Sequence, residues 1–112
     1  MTLRYFKSIN TGDISDGNSV TKSWTPDSDV KIKYLFISDR NKTDLAASQV
    51  WFEFGSGNVL TKDYVPASIL GNSVLTAVPL DVEVKKGSKI TIKVTNGEGT
   101  TINVDIVFYI EK

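Results

Sequence analysis

PLDVEVKKGSKITIKVTNGEGTTINVDIVFYIEK, from Pro79 to Lys112, decides the fold class. Leu80, Val82 and Val84 alternate with Asp81, Glu83 and Lys85. Ile90, Ile92 and Val94 alternate with Thr91, Lys93 and Thr95. Ile102, Val104, Ile106, Phe108 and Ile110 alternate with Thr101, Asn103, Asp105, Val107 and Tyr109. A period of two with one apolar face marks strands that cover a core on one side. Lys86-Gly87 and Asn96-Gly97-Glu98-Gly99 read as the turns between them.

Upstream the same pattern recurs with more noise. Leu3 to Ile9 reads as a first strand, with Tyr5 and Phe6 on opposite faces, and Asn10 to Asn18 as a loop. Ser19 to Thr25 reads as a second strand, with Val20, Lys22 and Trp24 on one side. In the third, Val30 to Ser38, the spacing places Val30, Ile32, Tyr34 and Phe36 on one face, while Leu35 and Ile37 make the second half apolar on both sides. Asp39 to Ser48 is a polar loop with a short helical turn expected at Asp44 to Ala47. Gln49 to Phe54 is a strand, Gly55 to Asn58 a tight turn and Val59 to Lys62 a return strand. Asp63 to Ser73 is irregular, and Val74 to Val78 a short strand. Eight or nine short, mainly antiparallel strands, punctuated about every ten residues, point to an all-β sandwich or closed barrel. The 112 residues suit one domain, 1–112, in which 1–9 is either a first strand or an N-terminal arm.

Composition narrows the chemistry. There is no cysteine, hence no disulfide framework or thiolate metal site, and no histidine, the commonest general base and zinc ligand. Ser-His and Cys-His catalysis are impossible. Asp81, Glu83 and Asp105 take outward positions on amphipathic strands, and no glycine-rich phosphate loop precedes a helix. The expectation is a non-enzyme without a cofactor. Thirteen basic residues balance thirteen acidic ones, so no global attraction to nucleic acid or anionic membranes arises. Lys31 with Lys33, and Lys85, Lys86 and Lys89, are the local basic patches. No apolar run approaches the ~20 residues of a membrane span, and the first residues lack a signal-peptide core. The chain is expected to stay where it is made, in a reducing compartment.

Three groups of residues are candidate sites. Trp24 and Trp51, with Tyr34 and Tyr64, offer aromatic plates on which a sugar ring could stack, and Trp51, opposed to the Val50, Phe52, Phe54 face, is the better placed. Asp13 and Asp16 lie in an oxygen-rich loop that could wrap a hard cation, although it lacks the spacing of a helix-loop-helix calcium site. Leu3, Tyr5 and Phe6, with Tyr64, Val65, Ile69 and Leu70 of the irregular segment, are apolar residues that must be buried on their own domain or on a partner.

The extended N-terminus, the pattern Val20-x-x-x-Trp24-x-Pro26 and the ending Pro79 to Asn96 resemble small jelly-roll or related β-sandwich proteins that build virus particles. This resemblance covers nearly the whole chain. It implies a single β-sandwich with a double sheet, jelly-roll rather than immunoglobulin-like, and no catalysis. It also implies self-association through loops and sheet edges, with copies of itself or other virion proteins as partners. The protein would then be made in a host cytoplasm and reside in the virion. The two close turns near the C-terminus suit a simple meander equally well. The alternative is a small carbohydrate-binding or adhesin-like module.

Overall fold

The computed structural model of the chain describes residues 3–54, 58–59, 65–67 and 78–112. The strands are β1 (Arg4–Ile14), β2 (Ser19–Trp24), β3 (Val30–Asp39), β4 (Gln49–Phe54), β5 (Asn58–Val59), β6 (Val65–Pro66), β7 (Val78–Val84), β8 (Ile90–Thr95) and β9 (Ile102–Glu111). One sheet has the order β1-β9-β3-β7. The other has the order β2-β8-β4-β5, with β6 also paired to β4. All pairings among the described residues are antiparallel.

The three clean strands of the C-terminal third are therefore not a meander. β7 and β9 belong to one sheet and β8 to the other, and β3 separates β7 from β9. From β1 to β4 the chain also changes sheet at every step, and its first and last strands lie side by side. Two interleaved sheets with this strand order form a jelly roll.

Alternation explains the core. In β9 every second residue from Ile102 to Ile110 is fully buried, and β8 contributes Ile90, Ile92 and Val94. β4 supplies Val50, Phe52 and Phe54 from the opposite layer, with the Phe52 and Phe54 rings stacked at 6.5 Å. Each such side chain contributes about 1.5–3 kcal/mol by leaving water.

Two irregularities correct the sequence reading. In β3 the register shifts between Ile32 and Tyr34 against both neighbours. The extra residue turns the strand over, so the inner face passes from Val30 and Ile32 to Leu35 and Ile37. Tyr34, expected beside Ile32, is 44% exposed, and Phe36 is only half-buried. β3 is central, but its second half is not buried on both faces.

In β1 the expected loop at Asn10 is strand as far as Ile14, with a register shift between Asn10 and Asp13. Gly12, at φ 73°, carries the kink. Polar side chains replace missing ladder bonds: Val104 N donates to Thr11 Oγ1 (3.1 Å), and Asn10 Nδ2 donates to Asp105 Oδ1 (2.9 Å). Polar composition made this segment look like a loop, whereas it is a bulged edge strand. The other expectations fare unevenly. Asp44 to Ala47 is a turn closed by Ala46 N donating to Asp44 Oδ1, not a helical one. Val59 to Lys62 is described only at Val59, paired to β4. The expected strand from Val74 lies outside the described residues apart from Val78, which begins β7.

Polar side chains lock one end of the sandwich. Asn96, 1% exposed, donates from Nδ2 to Ile14 O (2.8 Å) and Thr100 O (2.7 Å), and its Oδ1 accepts from Glu98 N. Glu98 Oε2 in turn accepts from Ala47 N and Ser48 Oγ. Gly97 sits so close to this loop that a Cβ there would stand 2.2 Å from Ala47 O. Burial raises the carboxyl pKa of Asp39, but hydrogen bonds from Asn103 N, Thr43 Oγ1, Asn41 N and Thr43 N outweigh it and hold the group below its usual range.

A candidate assembly surface

β1 pairs with β9 of its own chain over its whole length, so residues 4–9 are a first strand. Its alternation divides the residues expected to associate. Tyr5 faces inward opposite Ile110 and packs against the core, where burial, then the Asp27 carboxylate, raises its phenol pKa. Leu3 and Phe6 remain exposed, at 53% and 56%. Tyr64, Ile69 and Leu70 lie outside the described residues, as does the side chain of Val65.

Phe6 does not stand alone. It lies directly opposite Tyr109 of β9, which lies opposite Tyr34 of β3, which lies opposite Pro79 of β7. The ring centroids of Phe6 and Tyr109 are 5.0 Å apart, and those of Tyr34 and Tyr109 are 6.1 Å apart. A row of three aromatic rings on β1, β9 and β3, continued by Pro79 on β7, thus crosses the outer face of the sheet. Val107 and Phe36, paired and half-buried, extend it by one row. The β3 bulge makes this row, because without it Tyr34 and Phe36 would point into the core. The sequence pattern places Tyr34 on the inner face beside Ile32 for that reason. The signal for Tyr109 was visible: Val107 and Tyr109 are apolar residues on the polar side of β9.

Charges border the apolar band. On one side, Arg4 pairs with Glu111 (3.2 Å), and Lys31 and Glu83 continue the same row. Lys33 and Lys31 reach Asp81 at 3.2 and 3.8 Å, and the Lys33 hydrogen bond, with both lysine charges, lowers the Asp81 pKa. On the other side, Arg40 grips Asp105 through Nε (2.8 Å) and the second guanidinium nitrogen (3.1 Å). That bond, helped by Asn10, keeps the Asp105 carboxyl below its usual range despite burial. Lys85 is paired with Glu83 and Asp29. Acids thus accompany Lys31, Lys33 and Lys85 of the expected basic patches.

The other candidate residues are not brought together. Trp24 lies opposite Ile90 on the inner face of β2, partly buried, with Lys7 Nζ 5.4 Å from its ring centroid. Trp51 lies opposite Lys93 on the outer face of β4, half-exposed. The two indoles occupy opposite faces of one sheet and form no common platform. Asp13 Oδ1 accepts from Asn103 Nδ2, and Asp16 Oδ1 from Gly99 N. Among the described residues, no three Asp or Glu side chains gather as a metal site, and no helix is long and apolar enough to cross a membrane.

No protein-family model matches the chain, and no curated protein matches it. Solved structures do. The Yersinia pseudotuberculosis-derived mitogen superposes with a TM-score of 0.55 at 11% identity, covering 95% of this chain and 86% of that one. A protein described by its triple jelly-roll fold and turret assembly in an archaeal virus superposes with a TM-score of 0.53 at 17% identity. That match covers 99% of this chain but 28% of the viral one, so the chain spans little more than a quarter of its length. The kinship is one of fold. At that level the resemblance to jelly-roll virion proteins holds, and the same fold serves a mitogen.

Proposed function

We propose that this chain is a non-enzymatic structural protein that works by self-assembly, as a capsid or other virion component. The observation that carries the proposal is the aromatic row on the outer face of β1-β9-β3-β7. Covering the core does not call for Phe6, Tyr34 and Tyr109 on that face, although their mutual contacts add some stability, and an exposed apolar band on a finished domain marks a contact surface. Zero net charge leaves copies without strong mutual repulsion. The viral neighbour adds an analogy at the level of fold. In this reading residues 1–112 act as one domain, and the protein is made in a host cytoplasm and retained in the particle. Light scattering on the whole chain is expected to give an oligomer whose mass rises with concentration, and Phe6→Ser, which leaves β1 paired to β9, to lower that mass. A monomer at every concentration overturns the proposal.

Trp51 supports a second reading, a carbohydrate-binding module. It is half-exposed among Ser, Thr, Lys and Glu, a polar setting that suits a sugar hydroxyl rim around an aromatic plate. Titration of tryptophan fluorescence with oligosaccharides tests it. Loss of the response in Trp51→Ala supports the reading, and no response in the unaltered chain removes it.

A further inference from the structure

The geometry points to a second copy of this chain as the occupant of the aromatic face, docked sheet to sheet about a two-fold axis that runs along the strands between β9 and β3. This inference rests on the self-assembly reading and names its surface.

Charge order selects the partner and the axis. Across the sheet, in the order β1, β9, β3, β7, the bordering row reads Arg4, Glu111, Lys31, Glu83: plus, minus, plus, minus. A two-fold axis parallel to the strands reverses that order. Arg4 then faces the Glu83 position of the second copy, and Glu111 faces the Lys31 position, so opposite signs meet throughout the row. An axis across the strands would instead set this row against the Asn10, Asp105, Ser38 row, where no such alternation exists. The strand-parallel axis also lays Tyr109 against Tyr34 and Phe6 against Pro79. Each contact recurs with its members exchanged, as an isologous interface requires. Packed sheets cross at about 30°, and the long Arg, Lys and Glu side chains at the border span the resulting offset.

The size suits a weak dimer whose mass depends on concentration. Strands spaced about 4.8 Å apart, with about 6.8 Å between successive outward residues, make the face roughly 19 by 27 Å at most, β7 contributing Pro79, Asp81 and Glu83. That is about 500 Å² on each copy and about 1,000 Å² for the pair, the lower, transient end of protein interfaces. An aromatic centre with a charged rim matches the anatomy of such contacts. The Arg40–Asp105 pair on the opposite border neutralises itself and opposes nothing.

Sedimentation equilibrium on the whole chain tests the inference with three exposed-face variants, each checked for fold by circular dichroism. Tyr109→Ser is expected to raise the dimer dissociation constant at least tenfold. Arg4→Glu is expected to do the same, by setting like charges against each other across the axis. Adding Glu83→Lys to Arg4→Glu is expected to restore association to within about threefold of the original. Within one chain the acid introduced at position 4 still faces Glu111, and the base introduced at position 83 still lies beside Lys31 and Lys85, so repair of an intrachain pair cannot produce that rescue. As a charge control, Arg4→Glu with Lys112→Glu and Glu83→Lys, whose net charge stays at −2, must also regain association if the rescue comes from pairing across the axis and not from net charge. An oligomer indifferent to Tyr109→Ser and Arg4→Glu places assembly elsewhere and overturns this interface while leaving the self-assembly reading intact. Loss in Arg4→Glu without rescue overturns the axis. A monomeric parent overturns both.

Discussion

The two sheets share one inner architecture and differ on the outside. On the outer face of β2-β8-β4 the paired rows are Ser19-Thr95-Gln49, Thr21-Lys93-Trp51 and Ser23-Thr91-Glu53. Hydroxyls dominate, and Ser19 and Thr95 bond across the strands at 2.8 Å. On the outer face of β1-β9-β3-β7 the equivalent rows hold Phe6, Tyr109, Tyr34, Val107 and Phe36. Folding asks the same of both sheets, an apolar side turned inward, and is nearly indifferent to the other side. An aromatic row on one outer face alone is therefore not called for by covering the core, and the proposed contact between copies gives it a use.

On this account, substitutions inside should be equally costly in the two sheets. Phe108→Ala beneath the aromatic face and Phe52→Ala beneath the hydroxyl face remove rings that are both fully buried. Each is expected to cost about 3–5 kcal/mol in chemical denaturation. A cost below about 1 kcal/mol for either would mean that its sheet does not cover the core, and the comparison would lose its basis.

The next effect concerns the loops that hold the sheets back to back. Gly97→Ala drives a methyl group into Ala47 O, and the strand ends must separate to admit it. A loss of about 1–3 kcal/mol is expected, with hydrogen exchange rising at Ala47 and Ser48 before the strand centres. Exchange unchanged at those amides would show that the loop yields without opening that end.

How far this contrast could be read from residues alone follows from its causes. β8 and β4 have the same boundaries in the sequence pattern and in the fold, because Ile90-x-Ile92-x-Val94 and Val50-x-Phe52-x-Phe54 admit one inward face. β3 admits two: with Val30, Ile32, Tyr34 and Phe36 on one parity and Leu35 and Ile37 on the other, local pattern cannot show where a bulge exchanges them. The aromatic face depends on that exchange. Pairing is also nonlocal. Phe6 and Tyr109 are neighbours because β1 lies beside β9, and nothing near either residue encodes it. Likewise, Asn10 and Thr11 look like loop residues until Asp105 and Val104 are seen to bond them.

Moving an aromatic from one outer face to the other sharpens the comparison at smaller cost. In dilute, monomeric solution Tyr109→Thr removes ring contacts to both Phe6 and Tyr34 and is expected to cost about 0.5–1.5 kcal/mol. Thr91→Tyr on the hydroxyl face is expected to change stability by less than about 0.5 kcal/mol. At high concentration the first should lower the native mass and the second should leave it unchanged. A mass that fell equally in both would remove the distinction between the faces.

The smallest expected effect is confined to acid. Asp39 ends β3 and ties Asn41, Thr43 and Asn103 to the rim of the aromatic-faced sheet. Its carboxyl pKa is lowered in the folded chain from an ordinary value of 3.8. The unfolded chain therefore takes up the proton first as pH falls. The stabilisation is fully present above that ordinary value and is lost as pH drops below it and through the folded value. Asp39→Asn keeps an acceptor for some of these donors and cannot titrate, so its stability should be flatter below about pH 4. Because Asp39 Oδ1 accepts from Asn103 N at the start of β9, the exchange of that amide should rise with acid in the parent and not in the variant. Equal acid slopes in the two proteins would mean that the hydrogen bonds at this rim do not discriminate the ionised carboxylate from its neutral form.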